Sequence, residues 1–190
     1  MQTNILWTGI EYHSLENCIV TVTDRGSDIK STIVGCFNSV IYKLDYQITT
    51  NHIWETTFFM IKAQLNDVVR ITNFESDGKG NWFENGQHIE KFDGCIDIDI
   101  SLTPFTNTLP INRLKLSENT SKQIQVLYLD ILGQQINSVQ QKYTRLSPNR
   151  YKYENVPNDF VSIISVDESG LVMKYPELFE CSCIRESNYR

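Results

Sequence analysis

The stretch Cys95-Ile96-Asp97-Ile98-Asp99-Ile100-Ser101-Leu102 alternates apolar and polar residues from end to end. Ile96, Ile98, Ile100 and Leu102 leave one side of an extended chain, and Cys95, Asp97, Asp99 and Ser101 leave the other. A helix would scatter those isoleucines around its axis, so the spacing specifies a strand with one apolar and one polar face.

The same signature extends outward in both directions. Upstream, residues 15–24, 31–36, 39–49, 53–65 and 67–75 are rich in Ile, Val, Thr, Tyr and Phe, and read as strands. Tyr42, Leu44, Tyr46 and Ile48 share one face of the third, and the fourth is apolar on both sides, with Trp54 and Phe58 on one face. Asp24-Arg25-Gly26-Ser27, Asp77-Gly78-Lys79-Gly80-Asn81 and Asn85-Gly86 are turn signals, because glycine accepts the positive φ of a tight hairpin. Downstream, residues 104–117 hold the one predicted helix. Thr and Asn residues there can cap its first turn, and Pro110 is tolerated only near a helix start. Strands are expected again at 123–132, 137–147, 150–155, 160–167 and 171–175, with a hairpin at Asp167-Glu168-Ser169-Gly170 and a stop at Pro176. The polar tail 185–190 is expected to fray. With no linker or composition break, residues 1–190 read as a single, mostly β domain; each half carries a long apolar strand pair and an Asp-plus-Gly hairpin.

The chain has 190 residues, 41% of them hydrophobic and 21% charged, which is ordinary globular usage. Its net charge of -6 argues against a nucleic-acid binder, which needs clustered Lys and Arg, and against adhesion to anionic membranes. The N-terminus has no basic segment followed by an apolar run, and no stretch is long and apolar enough to insert stably in a membrane, so the expected location is cytoplasmic. Five cysteines without an export signal read as free thiols, and scattered histidines give no metal-ligand spacing; no metal or cofactor is expected.

Asp93, Asp97 and Asp99 fall on one strand face, the latter two about 6.5–7 Å apart along the chain. Such carboxylates either bind a cation or divide acid and base roles, or they pair with nearby Arg, Lys or backbone N–H groups; the structural pairing is the favoured reading. Cys95 sits among these charges, which raises a thiol pKa and blunts its nucleophilicity. No nucleophile elbow, Walker loop or dinucleotide fingerprint is present, so no catalytic residue is assigned. Aromatic side chains such as Trp54 with Phe58, or Tyr151 with Tyr153, could stack on sugars or line an acyl pocket, or simply pack the core.

The run Asp93-Gly94-Cys95, Asp97-Ile98-Asp99, Thr103-Pro104-Phe105-Thr106-Asn107-Thr108-Leu109-Pro110-Ile111 and Arg113-Leu114 resembles the signature of the bacterial putative glycolipid-binding family. Trp7, Glu11, Tyr42, Trp54, Asp77-Gly78, Gly80, Trp82, Gln141, Tyr143, Asp167, Gly170-Leu171-Val172, Tyr175-Pro176, Leu178 and Phe179 match in order along nearly the whole chain. Two departures stand out. Asn112 replaces one of a pair of arginines, and Thr56 and Thr57 lie where a basic residue is expected. The resemblance implies a spiral β-roll: a long antiparallel sheet wrapped around a single central helix and built from a duplicated motif. It implies a non-enzymatic binder of a glycolipid or similar long amphiphile, and a homodimer. Asp97, Asp99, Asn107 and Arg113 would form one polar cluster that latches the helix or binds a head group; Trp54, Trp82 and Tyr143 join the same candidate set. An enzyme working through Asp93, Asp97 and Asp99, or an interaction protein with a filled core, are the alternatives.

Overall fold

Burial in the strands follows the alternation of the sequence. In Gln2–Gly9 the inward row is Thr3, Ile5, Trp7 and Gly9; in Ser14–Val22 it is Ser14, Glu16, Cys18 and Val20. The computed structural model describes residues 1–157 and 159–187. Their strands are β1 (Gln2–Gly9), β2 (Ser14–Val22), β3 (Gly26–Phe37), β4 (Val40–Asn51), β5 (Thr56–Leu65), β6 (Val68–Ser76), β7 (Trp82–Glu84), β8 (Gln87–His88) and β9 (Asp97–Ile100). A 3-10 turn at Phe105–Asn107 runs into helix α1 (Thr108–Leu114). Then follow β10 (Ser121–Asp130), β11 (Gln135–Ser147), β12 (Arg150–Val156), β13 (Val161–Val166), β14 (Val172–Tyr175) and β15 (Phe179–Ser187).

All fifteen strands form one sheet, ordered β8-β7-β6-β5-β4-β3-β2-β1-β15-β14-β13-β12-β11-β10-β9. The chain makes two meanders, β1 to β8 and β10 to β15, joined by antiparallel pairing of β1 with β15. The sheet is mixed rather than wholly antiparallel, because β9 runs parallel to β10. A parallel pair needs a crossover, and the segment containing α1 supplies it. The two ends of the sheet approach each other: Gly94 N–H donates to the Gly80 carbonyl (3.0 Å), and Trp82 Nε1–H to the Cys95 carbonyl (2.6 Å).

A large core contains Trp7, Trp82, Phe59, Phe92 and Phe105, and a smaller one contains Tyr143, Tyr151, Tyr153, Ile164 and Phe179. The helical segment joins them: Phe105 and Leu109 belong to the first and Ile111 to the second.

Several sequence expectations change. The helix over 104–117 shortens to Thr108–Leu114 plus its preceding 3-10 turn, and ends at Lys115, whose φ is +45°. No Thr or Asn side chain caps it; Thr106 and Asn107 bond to the sheet instead. The strand expected at 95–102 is confined to Asp97–Ile100. The strand expected at 53–65 begins at Thr56, because Asn51 Oδ1 accepts the N–H groups of Ile53 and Glu55 and bends the chain. Trp54 therefore sits in that turn at φ +67°, not on a strand face with Phe58. β1 and β15 were not anticipated as strands. Arg185 to Ser187 pair with β1, so that part of the tail is ordered; the remainder of the tail lies outside the described residues.

Candidate functional site

The four residues grouped by sequence as one polar cluster divide between two places. Arg113, in the last turn of α1, meets Asp97 on β9. Its Nε lies 3.0 and 3.2 Å from the two carboxylate oxygens, and Nη2 binds the second of them. The Asp97 side chain is fully buried and that of Arg113 partly so. Burial pushes the Asp97 carboxyl up against the pull of Arg113. Burial works to lower the guanidinium, and the hydrogen bonds and charge of Asp97 outweigh it. This pair ties helix to sheet.

Asp99, two residues along the same face, opens instead into a cleft of about 490 Å³. One of its oxygens accepts from Thr106 Oγ1 (3.0 Å) and the other from Gln141 Nε2 (2.6 Å). Among the described residues no cation pairs with it. Burial pushes its pKa up, opposed by those two hydrogen bonds. Asn107 and Gln141 complete the polar floor. Tyr143 OH donates to Asn107 Oδ1 (2.9 Å), whereas Asn107 Nδ2 has only a 3.4 Å contact with the Pro104 carbonyl and keeps donor capacity.

The walls are aromatic. Tyr12 stacks on Phe179 at 5.7 Å between ring centroids, Phe179 meets Tyr175, and Tyr175 meets Tyr153 and Phe160. Tyr128 also lines the cleft. Burial pushes the Tyr12 phenol up to about 12 and raises Tyr128, Tyr153 and Tyr175, with the Asp99 charge adding to each; all remain protonated donors. Glu11 and Asp159 line the cleft too, as do apolar Val139, Val156, Pro157 and Leu178.

The other candidates lie elsewhere. Asp93 sits at the surface, its carboxylate 2.7 Å from His88 Nε2, so the three aspartates are not one site. Trp82 is fully buried against Phe59, and Trp54 packs half-buried against the large core; neither lines the cleft. Cys95 Sγ lies 3.3 Å from Ser138 Oγ, and burial, reinforced by Asp97 and Asp93, raises its pKa. Asn112, at the first departure, donates to the Ser169 carbonyl (2.9 Å). Thr57 at the second bonds the Thr49 carbonyl, while the buried Thr56 hydroxyl has no partner.

Sequence reasoning missed Tyr12, Tyr128, Asp159, Phe160 and the fully buried Glu16. Glu16 Oε1 accepts from Ser31 Oγ (2.7 Å), Tyr46 OH (2.7 Å) and Thr103 Oγ1 (3.0 Å), and Oε2 has no partner. Thr103 also lines the cleft, so Glu16 stands directly behind its wall. The available signal was an acid in an inward strand row with Cys18 and Val20. Among the described residues no group of three or more His, Cys, Asp or Glu could hold a metal ion, and no helix is long and apolar enough to cross a membrane.

Fold and cleft together define a mostly β protein with a pocket of small-ligand size. The family described as "Putative glycolipid-binding" matches residues 4–181, and the chain belongs to it. It is also similar to a DUF1089 family protein from Pseudomonas aeruginosa, known from a 1.80 Å crystal structure. The two share 34% identity, with a TM-score of 0.81, over 88% of this chain and 91% of that one. No functionally curated protein matches.

Proposed function

We propose that this protein binds a glycolipid or similar amphiphile without transforming it, and that the cleft receives the sugar head group. Asp99 carries the reading. It is a part-buried carboxylate with, among the described residues, no ion-pair partner, and burying such a charge even in part is costly unless something else satisfies it. Its remaining acceptor capacity, with Asn107 Nδ2, suits hydroxyl groups, while the tyrosine and phenylalanine rings offer apolar faces to a sugar. Val139, Val156, Pro157 and Leu178 provide a start for the apolar part of the ligand. We also take the sheet as a spiral roll in one domain, with the 105–114 segment as its plug. The meeting of the sheet ends supports this. A homodimer rests on the family resemblance.

Native mass spectrometry of protein purified from its own host, followed by lipid extraction, tests the proposal. A stoichiometric amphiphile is expected, and it should be lost from Asp99→Ala that still folds. Bare protein that takes up nothing from a panel of glycolipids defeats it. The catalytic alternative now rests on Asp99 with Glu11 or Asp159, which line the same cleft. It predicts that added glycolipid is recovered cleaved.

A further inference from the structure

We propose that the cleft selects head groups that carry no negative charge: neutral sugars or amino sugars, in preference to phosphorylated, sulfated or uronic ones. This rests on the binding reading above and narrows its ligand class. The residues that line the cleft include three carboxylates, Glu11, Asp99 and Asp159, and, among the described residues, no Lys, Arg or His. Three cations on the bordering elements, Arg113, Lys142 and Lys152, bond elsewhere. Arg113 spends its Nε and Nη2 on Asp97 and does not line the cleft. Strand alternation sends Lys142 and Lys152 to the opposite face from Gln141, Tyr143 and Tyr153, and there both meet Glu154, at 3.8 and 2.8 Å.

An anionic head group would add a like charge beside the part-buried Asp99, where water screens less than in bulk. A hydroxyl or an ammonium instead supplies a donor to the free lone pairs of that carboxylate. The aromatic walls accept either, since they carry no formal charge.

Binding of three short alkyl glycosides at neutral pH and low salt tests this: a hexyl glucoside, its amino-sugar counterpart, and the same glucoside phosphorylated at its primary hydroxyl. The first two are expected to bind, and the third at least about tenfold more weakly. Glu11→Gln with Asp159→Asn, both at side chains with no assigned hydrogen-bond role in the core, should narrow that gap; Asp99→Asn should narrow it further, with unfolding temperature as the control for folding. Equal or tighter binding of the phosphorylated glucoside overturns the charge selection and leaves the binding reading standing. Failure of all three to bind overturns both.

Discussion

Glu16 is the residue whose behaviour departs furthest from its type. Burial lifts its carboxyl from an ordinary 4.5 to about 7, against the three hydroxyls that donate to it. The folded chain therefore holds this proton more tightly than the unfolded one. The resulting stabilisation is complete below pH 4.5 and lost as pH rises through about 7, a difference of roughly 3 kcal/mol. Glu16→Gln, which mimics the protonated form, should flatten that fall; urea unfolding at about pH 5 and about pH 8 measures it, and an unchanged slope would refute the assignment. Asp97 and Arg113 give a second expectation. Arg113→Ala leaves a buried carboxylate alone and should cost about 3–5 kcal/mol in the same assay. The family resemblance had grouped both residues with Asp99 and Asn107 as one polar cluster. It did not separate the pair from Asp99, since which aspartate Arg113 reaches depends on the length of the helix, not on strand alternation.

At the scale of elements, the short helix is held by the sheet at both ends rather than by its own caps. Thr106 serves Asp99 and the Ile100 N–H, Asn107 serves Tyr143, and Asn112 reaches the β13–β14 hairpin. That hairpin was legible because Asp167 accepts the N–H groups of Ser169 and Leu171 and Gly170 takes φ +77°. Its contact with α1 was not legible. A methyl group at residue 170 would lie 2.6 Å from Asn112 Oδ1. Gly170→Ala should therefore cost about 1–2 kcal/mol for the left-handed backbone alone, and more for displacing Asn112. Adding Asn112→Ala should recover only the second part, so a double-mutant cycle should give a non-zero coupling. Strict additivity would mean that the helix and hairpin do not communicate here.

At the scale of the molecule, the stability of the sheet rests on its middle. Trp7 in β1 is fully buried and donates Nε1–H to the Val172 carbonyl at 2.7 Å, linking the first meander to the second. Trp7→Ala should cost about 3–5 kcal/mol and preserve a single unfolding transition if the two meanders melt together; two separated transitions would show them to be independent. Strand content was legible from alternation, but β15 was hidden because its apolar row, Phe179, Cys181 and Cys183, is short and rests on two cysteines, and its far end, Arg185-Glu186-Ser187, is polar. The cleft was hidden for a related reason. Tyr12, Asp99, Tyr128, Tyr153 and Tyr175 come from five separate places along the chain, and only the fold brings them together. The pairing of β1 with β15 also sets a timetable. During synthesis at roughly 5–20 residues per second, β1 waits on the order of ten to thirty seconds for its partner to leave the ribosome. Throughout that interval one edge of β1 offers open backbone hydrogen bonds to any neighbouring nascent chain, so crowded polysomes are where this protein is most exposed to mispairing.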